Sequence, residues 1–174
     1  TIPNGVFKST NGGESWGEAN AGLTGDNPAI TLEIDPAMPS TLYLGTYANG
    51  VFKSTNGGGN WIVANTGIDL NTAYENSVDQ LVIDPVESTT LYAVTRYKGI
   101  FISTNGGQSW GAPYKFEDVE GMWGGAPGYP ERYTLAMPDA YTAILFGCKT
   151  WDDGSLWMAE WNSEDGWDEM SRID

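Results

Sequence analysis

The chain has 174 residues, of which 23 are acidic and 8 basic, so its formal net charge is −15 at pH 7. Nucleic acid and anionic lipid are excluded as partners, because binding them needs lysine and arginine to neutralise phosphate. Histidine is absent, one cysteine (Cys148) forms no intrachain disulfide, and no apolar run approaches the roughly 20 residues that span a bilayer, so we expect no membrane insertion.

The first part of the chain contains three copies of one hairpin pattern. It reads GVFKSTNGGESW at residues 5–16, GVFKSTNGGGNW at 50–61 and GIFISTNGGQSW at 99–110. The spacing is 45 residues from Asn11 to Asn56 and 49 from Asn56 to Asn105. Periods of about 40–50 residues are typical of the blades of a β-propeller.

A second repeated segment precedes the second and third copies. It reads LEIDP at 32–36 and LVIDP at 81–85, each followed by Leu-Tyr at 42–43 and 91–92. Short apolar runs bounded by Gly-rich or Pro-rich breaks predict antiparallel strands, here called a to d. They are expected at 29–34, 41–46, 50–54 and 60–64, and again at 78–83, 90–95, 99–103 and 109–114. Residues 1–22 hold strands c and d only, which predicts a half blade followed by blades at 28–66 and 78–115.

Residues 132–172 are interpreted as a diverged fourth blade. The segments LAMP at 135–138 and AILFG at 143–147 match the second repeated segment at an offset of 53 residues, Pro85 to Pro138. SLWM at 155–158 and Gly-Trp at 166–167 fall where strands c and d are due. An unrelated hairpin cap is the alternative. We therefore predict an all-β, propeller-like array of about three and a half four-stranded antiparallel blades, which closes as a small ring, belongs to a larger propeller or pairs with another copy.

The repeated STNGGxxW resembles the Asp-box, whose consensus is Ser/Thr-x-Asp-x-Gly-x-x-Trp, with asparagine here in place of aspartate. Asparagine can bond nearby backbone N–H groups, and the glycines permit positive φ. The resemblance implies a structural turn between strands c and d, away from any active site. The Asp-box is found in propellers of sialidases, xyloglucan-active endoglucanases, sortilin-like receptors and a photosystem assembly factor. The residues to which it gives this structural role are Ser9, Asn11, Gly13, Trp16, Ser54, Asn56, Gly58, Trp61, Ser103, Asn105, Gly107 and Trp110.

The opposite loops are the candidate binding surface. In propellers the b–c and d–a loops share one face, and here the b–c loops differ (IPN at 2–4, YAN at 47–49, RYK at 96–98) while the c–d turns are constant. A long aromatic, Gly/Pro-rich loop before the fourth blade adds to this face, since long structured loops are often functional. The predicted ligand-binding residues are Tyr47, Asn49, Tyr74, Arg96, Tyr97, Trp123 and Tyr129.

These features predict a non-catalytic recognition or scaffold module that binds carbohydrate or protein. A structural subunit that self-assembles by edge-strand addition is one alternative. A fragment of a propeller glycoside hydrolase, which would need a pair of carboxylates, is another. A sialidase is disfavoured because the three arginines (Arg96, Arg132 and Arg172) lack the Arg-Ile-Pro signature of that family. An extracellular location is expected from the resemblance, the acidity and the missing initiator methionine.

No cofactor is expected. Asp152-Asp153 and Glu164-Asp165 offer oxygen ligands for Ca²⁺ in turn-like segments, but they match no defined calcium loop. A solvated acidic turn is the simpler interpretation, and no metal site is assigned.

Overall fold

The computed structural model describes residues 5–24, 28–68, 77–96, 98–113, 132–136, 143–148, 156–162, 166–167 and 171–173. Every regular element within these ranges is a β-strand, which confirms the all-β prediction. In the same ranges no helix has the length and apolar character needed to cross a membrane.

The strands form antiparallel sheets that follow one another along the chain. The half blade consists of β1 (Phe7–Lys8) and β2 (Gly17–Glu18). The second blade contains β3 (Ala29–Ile34), β4 (Leu42–Thr46), β5 (Val51–Ser54) and β6 (Ile62–Val63), paired in that order. The third contains β7 (Val78–Ile83), β8 (Leu91–Thr95) and β9 (Gly99–Ser103).

The last sheet has five strands. They are β10 (Arg132–Ala136), β11 (Ala143–Cys148), β12 (Leu156–Asn162), β13 (Gly166–Trp167) and β14 (Ser171–Ile173). The first four pair in sequence, and β14 also pairs with β12. Strands thus lie at the four positions where repeat matching placed them, with one strand more than predicted.

Strand d of the third blade differs from the prediction. We expected it at 109–114, but residues 109–113 form no strand. The N–H of Gly111 donates to the carbonyl of Ile102 at 2.9 Å. The ladder ends there because the segment continues as Gly-Ala-Pro, and Pro113 has no N–H to donate.

The a–b turns are held by the repeated Asp-Pro. Oδ1 of the buried Asp35 accepts from the N–H groups of Ala37 at 2.8 Å and Met38 at 3.1 Å. Asp84 holds the next a–b turn through the N–H groups of residues 86 and 87. These two carboxylates are therefore engaged in holding the backbone.

The core lies between blades that pack face to face. One cluster joins the second blade to the third; its members are Tyr43, Val51, Ala64, Ile68, Val78, Leu81, Ile83, Leu91, Ala93, Phe101 and Trp110. A smaller cluster joins the half blade to the second blade; it holds Leu44, Phe52 and Trp61, with Val6, Leu23 and Leu42 packed against it. Gln80 on β7 exchanges two hydrogen bonds of 2.8 Å with the backbone of the buried Leu135 on β10, which ties the last sheet to the third blade.

Candidate functional site

Backbone contacts divide the loops of the array between two rims. On one, a–b turns meet c–d turns: the N–H of Gly57 donates to the carbonyl of Ser40 at 2.8 Å. On the other, b–c loops meet d–a loops: the N–H of Tyr47 donates to the carbonyl of Pro28, and that of Arg96 to Ser77, each at 3.1 Å. We call the first the turn rim (residues 9–15, 35–41, 54–60, 84–90 and 103–109). The second is the variable rim (residues 46–50, 64–68, 77–79, 95–96 and 98–99).

The c–d turns use their polar groups internally. In the second blade the hydroxyl of Ser54 donates to Oδ1 of Asn56 at 2.9 Å and accepts from the N–H of Gly58 at 3.0 Å. Oδ1 of Asn56 also accepts from the N–H of Asn60 at 2.8 Å. Gly57 and Gly58 have φ of 66° and 83°, which glycine adopts without strain. The turns at Ser9 to Ser15 and Ser103 to Ser109 repeat this pattern.

The turn also shows why asparagine fits where the Asp-box consensus has aspartate. Nδ2 of Asn11 donates to the hydroxyl of Ser15 at 2.9 Å, and Nδ2 of Asn105 to that of Ser109 at 2.8 Å. An ionised aspartate would reverse this bond and accept from the serine hydroxyl, so either residue can close the turn. The amide keeps the turn closed and adds no charge to an already acidic chain.

The tryptophans that end the second and third motifs pack against the preceding blade. Nε1 of Trp61 donates to the carbonyl of Ala19, and Nε1 of Trp110 to that of Ala64, both at 2.8 Å. Both indoles are buried, whereas Trp16 is 64% exposed. Trp61 and Trp110 therefore fasten one blade to the next.

The variable rim carries a cluster of polar and aromatic side chains across two blades. Nε and Nη2 of Arg96 donate to Oδ2 and Oδ1 of Asp79, each at 3.1 Å, in a bidentate ion pair. The Ser77 hydroxyl donates to the same Oδ1. The guanidinium carbon of Arg96 lies 5.5 Å from the ring centre of Tyr47, within the range of a cation–π contact. The guanidinium of Arg96 is thus held in a fixed orientation beside the ring of Tyr47 from the neighbouring blade.

Asn49 belongs to the same loop as Tyr47 but bonds to other loops. Its Nδ2 donates to the carbonyl of Thr24 at 3.2 Å, and its carbonyl accepts from Nδ2 of Asn65 at 2.8 Å. These bonds set the position of the b–c loop.

Of the predicted ligand-binding residues, the structure brings Tyr47 and Arg96 together, while Asn49 bonds to Thr24 and Asn65 instead. The other four, Tyr74, Tyr97, Trp123 and Tyr129, lie outside the described residues.

Asp79 is a rim residue that the sequence analysis missed. It occupies a break in register between Val78 and Gln80 in the β7–β8 ladder, and the β3–β4 ladder has the same break between Ala29 and Thr31. Such bulges re-aim a side chain, here toward the b–c loop. Matching the repeats would have signalled it, because Ile30 and Tyr47 of one blade become Asp79 and Arg96 of the next.

The described residues give no basis for a metal centre. Within them, no three side chains of the Asp, Glu, Cys or His type come together as metal ligands would. The acidic pairs Asp152-Asp153 and Glu164-Asp165, named as Ca²⁺ candidates, lie outside the described side chains.

Comparison with known proteins supports the fold. No family model and no curated protein matches the chain. Among solved structures, an ancestral GH74 enzyme is similar over 98% of this chain and 23% of its own, with a TM-score of 0.71 and 18% identity. A GH74 xyloglucanase from Xanthomonas campestris is similar over 86% and 22%, with a TM-score of 0.55 and 16% identity. YCF48 bound to D1 peptide is similar over 95% and 61%, with a TM-score of 0.52 and 13% identity.

At these identities the similarity establishes the β-propeller fold and nothing finer. The chain spans less than a quarter of the length of the two GH74 enzymes.

Proposed function

We propose that this chain is a non-catalytic recognition segment of an Asp-box propeller that binds a polar ligand through its variable rim. The observation that carries the proposal is the cluster of Tyr47, Arg96 and Asp79, which spans two blades on the rim whose loops differ between repeats. Long polar side chains lose rotamer freedom when a ligand orders them. Here the ion pair has already fixed the guanidinium, so a ligand meets a preformed surface.

The cluster favours a neutral polar ligand. Asp79 compensates the charge of Arg96, and the whole chain carries −15, so an anion gains little from this site. Hydroxyl or amide groups suit a fixed donor–acceptor pair, and an aromatic ring suits the face of a sugar. We therefore place neutral carbohydrate first, in keeping with the GH74 xyloglucanase among the similar structures. Protein is the second ligand class, in keeping with the D1 peptide bound to YCF48.

The Asp-box assignment belongs to the same proposal. It is supported by three turns that share one pattern of hydrogen bonds, with asparagine in the aspartate position and a tryptophan at the end. The serine and asparagine side chains of these turns bond within the turns, which supports placing recognition on the opposite rim.

A segment of a propeller glycoside hydrolase is the second candidate. It is favoured by the TM-score of 0.71 with an ancestral GH74 enzyme over 98% of this chain. Hydrolysis by paired carboxylates needs two of them about 5–9.5 Å apart. Among the described residues of the variable rim Asp79 is the sole carboxylate, and Arg96 holds both of its oxygens. In such an enzyme, this chain would contribute substrate binding.

Calorimetric titration with xyloglucan oligosaccharides, next to a glycan and peptide array, tests the proposal. Tyr47→Ala and Arg96→Ala are each expected to weaken binding by about tenfold, the loss that follows from one good contact of roughly 1.4 kcal/mol. Asn11→Ala on the turn rim is the matched control and leaves affinity unchanged. Equal affinity of all three variants would reject the site, and hydrolysis of the oligosaccharide would favour the second candidate.

We also propose an extracellular location, supported by the Asp-box resemblance and the acidic composition. Immunodetection of the native protein in the culture medium or on intact cells checks this. Recovery in the soluble cell interior alone would overturn it.

A further inference from the structure

The half blade leaves an apolar face of the second blade uncovered. Leu32 and Ile34 on β3 are 44% and 52% exposed. The residues at the same repeat positions in the third blade, Leu81 and Ile83, are 0% and 8% exposed. The side chains are the same in both blades, so what differs is the neighbour: Leu81 and Ile83 face a second blade with strands a and b, and residues 5–24 supply strands c and d only.

Comparison of the two inter-blade clusters shows which side chain is missing. The smaller cluster has Val6, Leu23 and Trp61 where the larger has Val51, Ile68 and Trp110. Its members contain no counterpart of Tyr43, which strand b of the second blade contributes to the larger cluster.

Tyr43 has a defined place at its own junction. Its hydroxyl donates to the carbonyl of Gly106 at 3.1 Å, and its ring would lie 3.1 Å from a Cβ added to Gly107. Nζ of Lys53 donates to the same carbonyl at 2.8 Å. The turn of the third blade is thus covered by a lysine from strand c and a tyrosine from strand b of the blade before it.

Among the described residues, only the lysine of this pair is present at the half-blade junction. Nζ of Lys8 donates to the carbonyl of Gly57 at 2.7 Å, as Lys53 does at the next junction. A groove of about 270 Å³ opens beside it, lined by Val6, Leu32, Ile34, Leu42, Gly58 and Trp61. The groove is continuous with the established interface between the half blade and the second blade, because Val6, Leu42 and Trp61 belong to both.

We propose that this groove is the docking site for a β-hairpin of the repeat's own a–b type, with the pattern Leu-x-Ile-Asp-Pro followed by Leu-Tyr. The hairpin adds to the free edge of β1, covers Leu32 and Ile34, and inserts its tyrosine so that the hydroxyl donates to the carbonyl of Gly57. Strand addition of this kind takes affinity from the backbone ladder and specificity from the side chain in the pocket.

The partner is a hairpin from outside the described blades. Both described hairpins of this type, β3–β4 and β7–β8, are already paired with strand c of their own blades. A second copy of the chain could donate one only by dismantling its own blade, so self-association is not the expected mode. This surface does not include the Tyr47–Arg96–Asp79 cluster, so the inference stands or fails independently of the proposed ligand site.

An extended chain tests the inference directly. Thr1 occupies the repeat position of Thr46, so a copy of residues 28–45 fused before Thr1 recreates the full blade. We expect amide hydrogen exchange at Phe7 and Ser9 to slow at least about tenfold, since their N–H groups face the edge with which the added strand pairs. The thermal midpoint should rise by roughly 2–4 °C or more. The matched control carries Tyr43→Ala in the copied hairpin only and loses most of the gain. Unchanged exchange at Phe7 and Ser9 in the extended chain would overturn the inference.

A second measurement uses the 174-residue chain and a free peptide of residues 28–46. The peptide should bind with a negative heat-capacity change, because apolar surface is buried. Leu32→Asp in the protein should abolish binding, while Ile62→Asp, at a residue of similar exposure outside the groove, should retain it. Equal binding to both variants would contradict the groove as the site. Concentration-dependent dimers of the chain alone that Leu32→Asp abolishes would replace the hairpin partner with a second copy.

Discussion

The two rims of this array differ in where their side chains bond and in how constant their sequences are. On the turn rim the serine and asparagine side chains of each c–d turn bond within that turn, and the same STNGG sequence gives the same hydrogen bonds in all three copies. On the variable rim the contacts run between loops and between blades, as from Arg96 to Tyr47, and the residues differ between copies. A repeat protein can thus keep one edge constant for folding and change the other for recognition, because the two edges share few side chains.

The largest expected effect concerns the tryptophans of the turn motif. Trp110→Ala removes a buried indole and its bond to the carbonyl of Ala64, so it should lower the free energy of unfolding by about 3–5 kcal/mol. Trp16→Ala, in the same motif but 64% exposed, should change it by less than about 0.5 kcal/mol. Urea denaturation of both variants measures the difference. Equal losses would mean that the motif stabilises its own blade rather than the junction between blades.

Serine at the start of the turn should matter less than tryptophan. Ser54→Ala leaves the buried N–H of Gly58 without its bond and removes one donor from the side-chain oxygen of Asn56, at a cost of about 1–3 kcal/mol. Ser9→Ala breaks the same bonds in an exposed turn, where water replaces them, so its loss should be smaller. Thermal unfolding checks the order of the two variants, and ligand affinity should not change in either. Loss of affinity in Ser54→Ala would show that the turn rim takes part in recognition.

Alkaline pH should weaken the packing between blades. Burial and the nearby Asp35 carboxylate raise the pKa of Tyr43 to about 12 from its ordinary 10.0, and burial with Asp84 does the same for Tyr92. The folded protein then keeps protons that the unfolded chain has lost. This stabilisation is complete below pH 10 and disappears as the pH rises toward 12. Urea midpoints at about pH 9 and 11 should therefore differ less in Tyr43→Phe than in the natural chain. An identical pH dependence would contradict the role of Tyr43.

The smallest effect on stability is expected at the variable rim. Asp79→Asn removes a partly exposed ion pair, whose contribution is typically no more than about 1 kcal/mol. Its effect on ligand affinity should be larger than its effect on stability, because Arg96 loses its fixed orientation. The double variant Asp79→Ile with Arg96→Tyr copies the second blade and should restore stability without restoring affinity. Full affinity in the double variant would show that the ion pair does not determine ligand specificity.

The repeated segments were enough to predict the fold, because period, turn glycines and alternating apolar residues agree along the first 110 residues. Strands a, b and c of the second and third blades lie within one residue of their predicted bounds. The prediction of strand d in the third blade was wrong. Pro113 cannot donate to the ladder, so the strand does not form although the repeats are similar in sequence. Boundaries at the ends of short strands depend on such single residues.

The candidate site was less accessible from the sequence. Tyr47 and Arg96 were identified from the contrast between loops, but Asp79 was missed because a strand residue normally points to a face of the sheet, and only the bulge turns it toward the loop. The exposure of Trp16 could not be predicted from the sequence either, because its motif is the same as that of the buried Trp61 and Trp110. The first feature depends on a break in strand register, and the second on which blade packs against the motif.

Amide hydrogen exchange with and without saturating xyloglucan oligosaccharide tests the division between rims most directly. Protection should appear in residues 46–50, 77–79 and 95–99, and residues 9–15, 54–60 and 103–109 should exchange as in the free chain. Protection confined to those c–d turns would contradict the assignment of recognition to the variable rim.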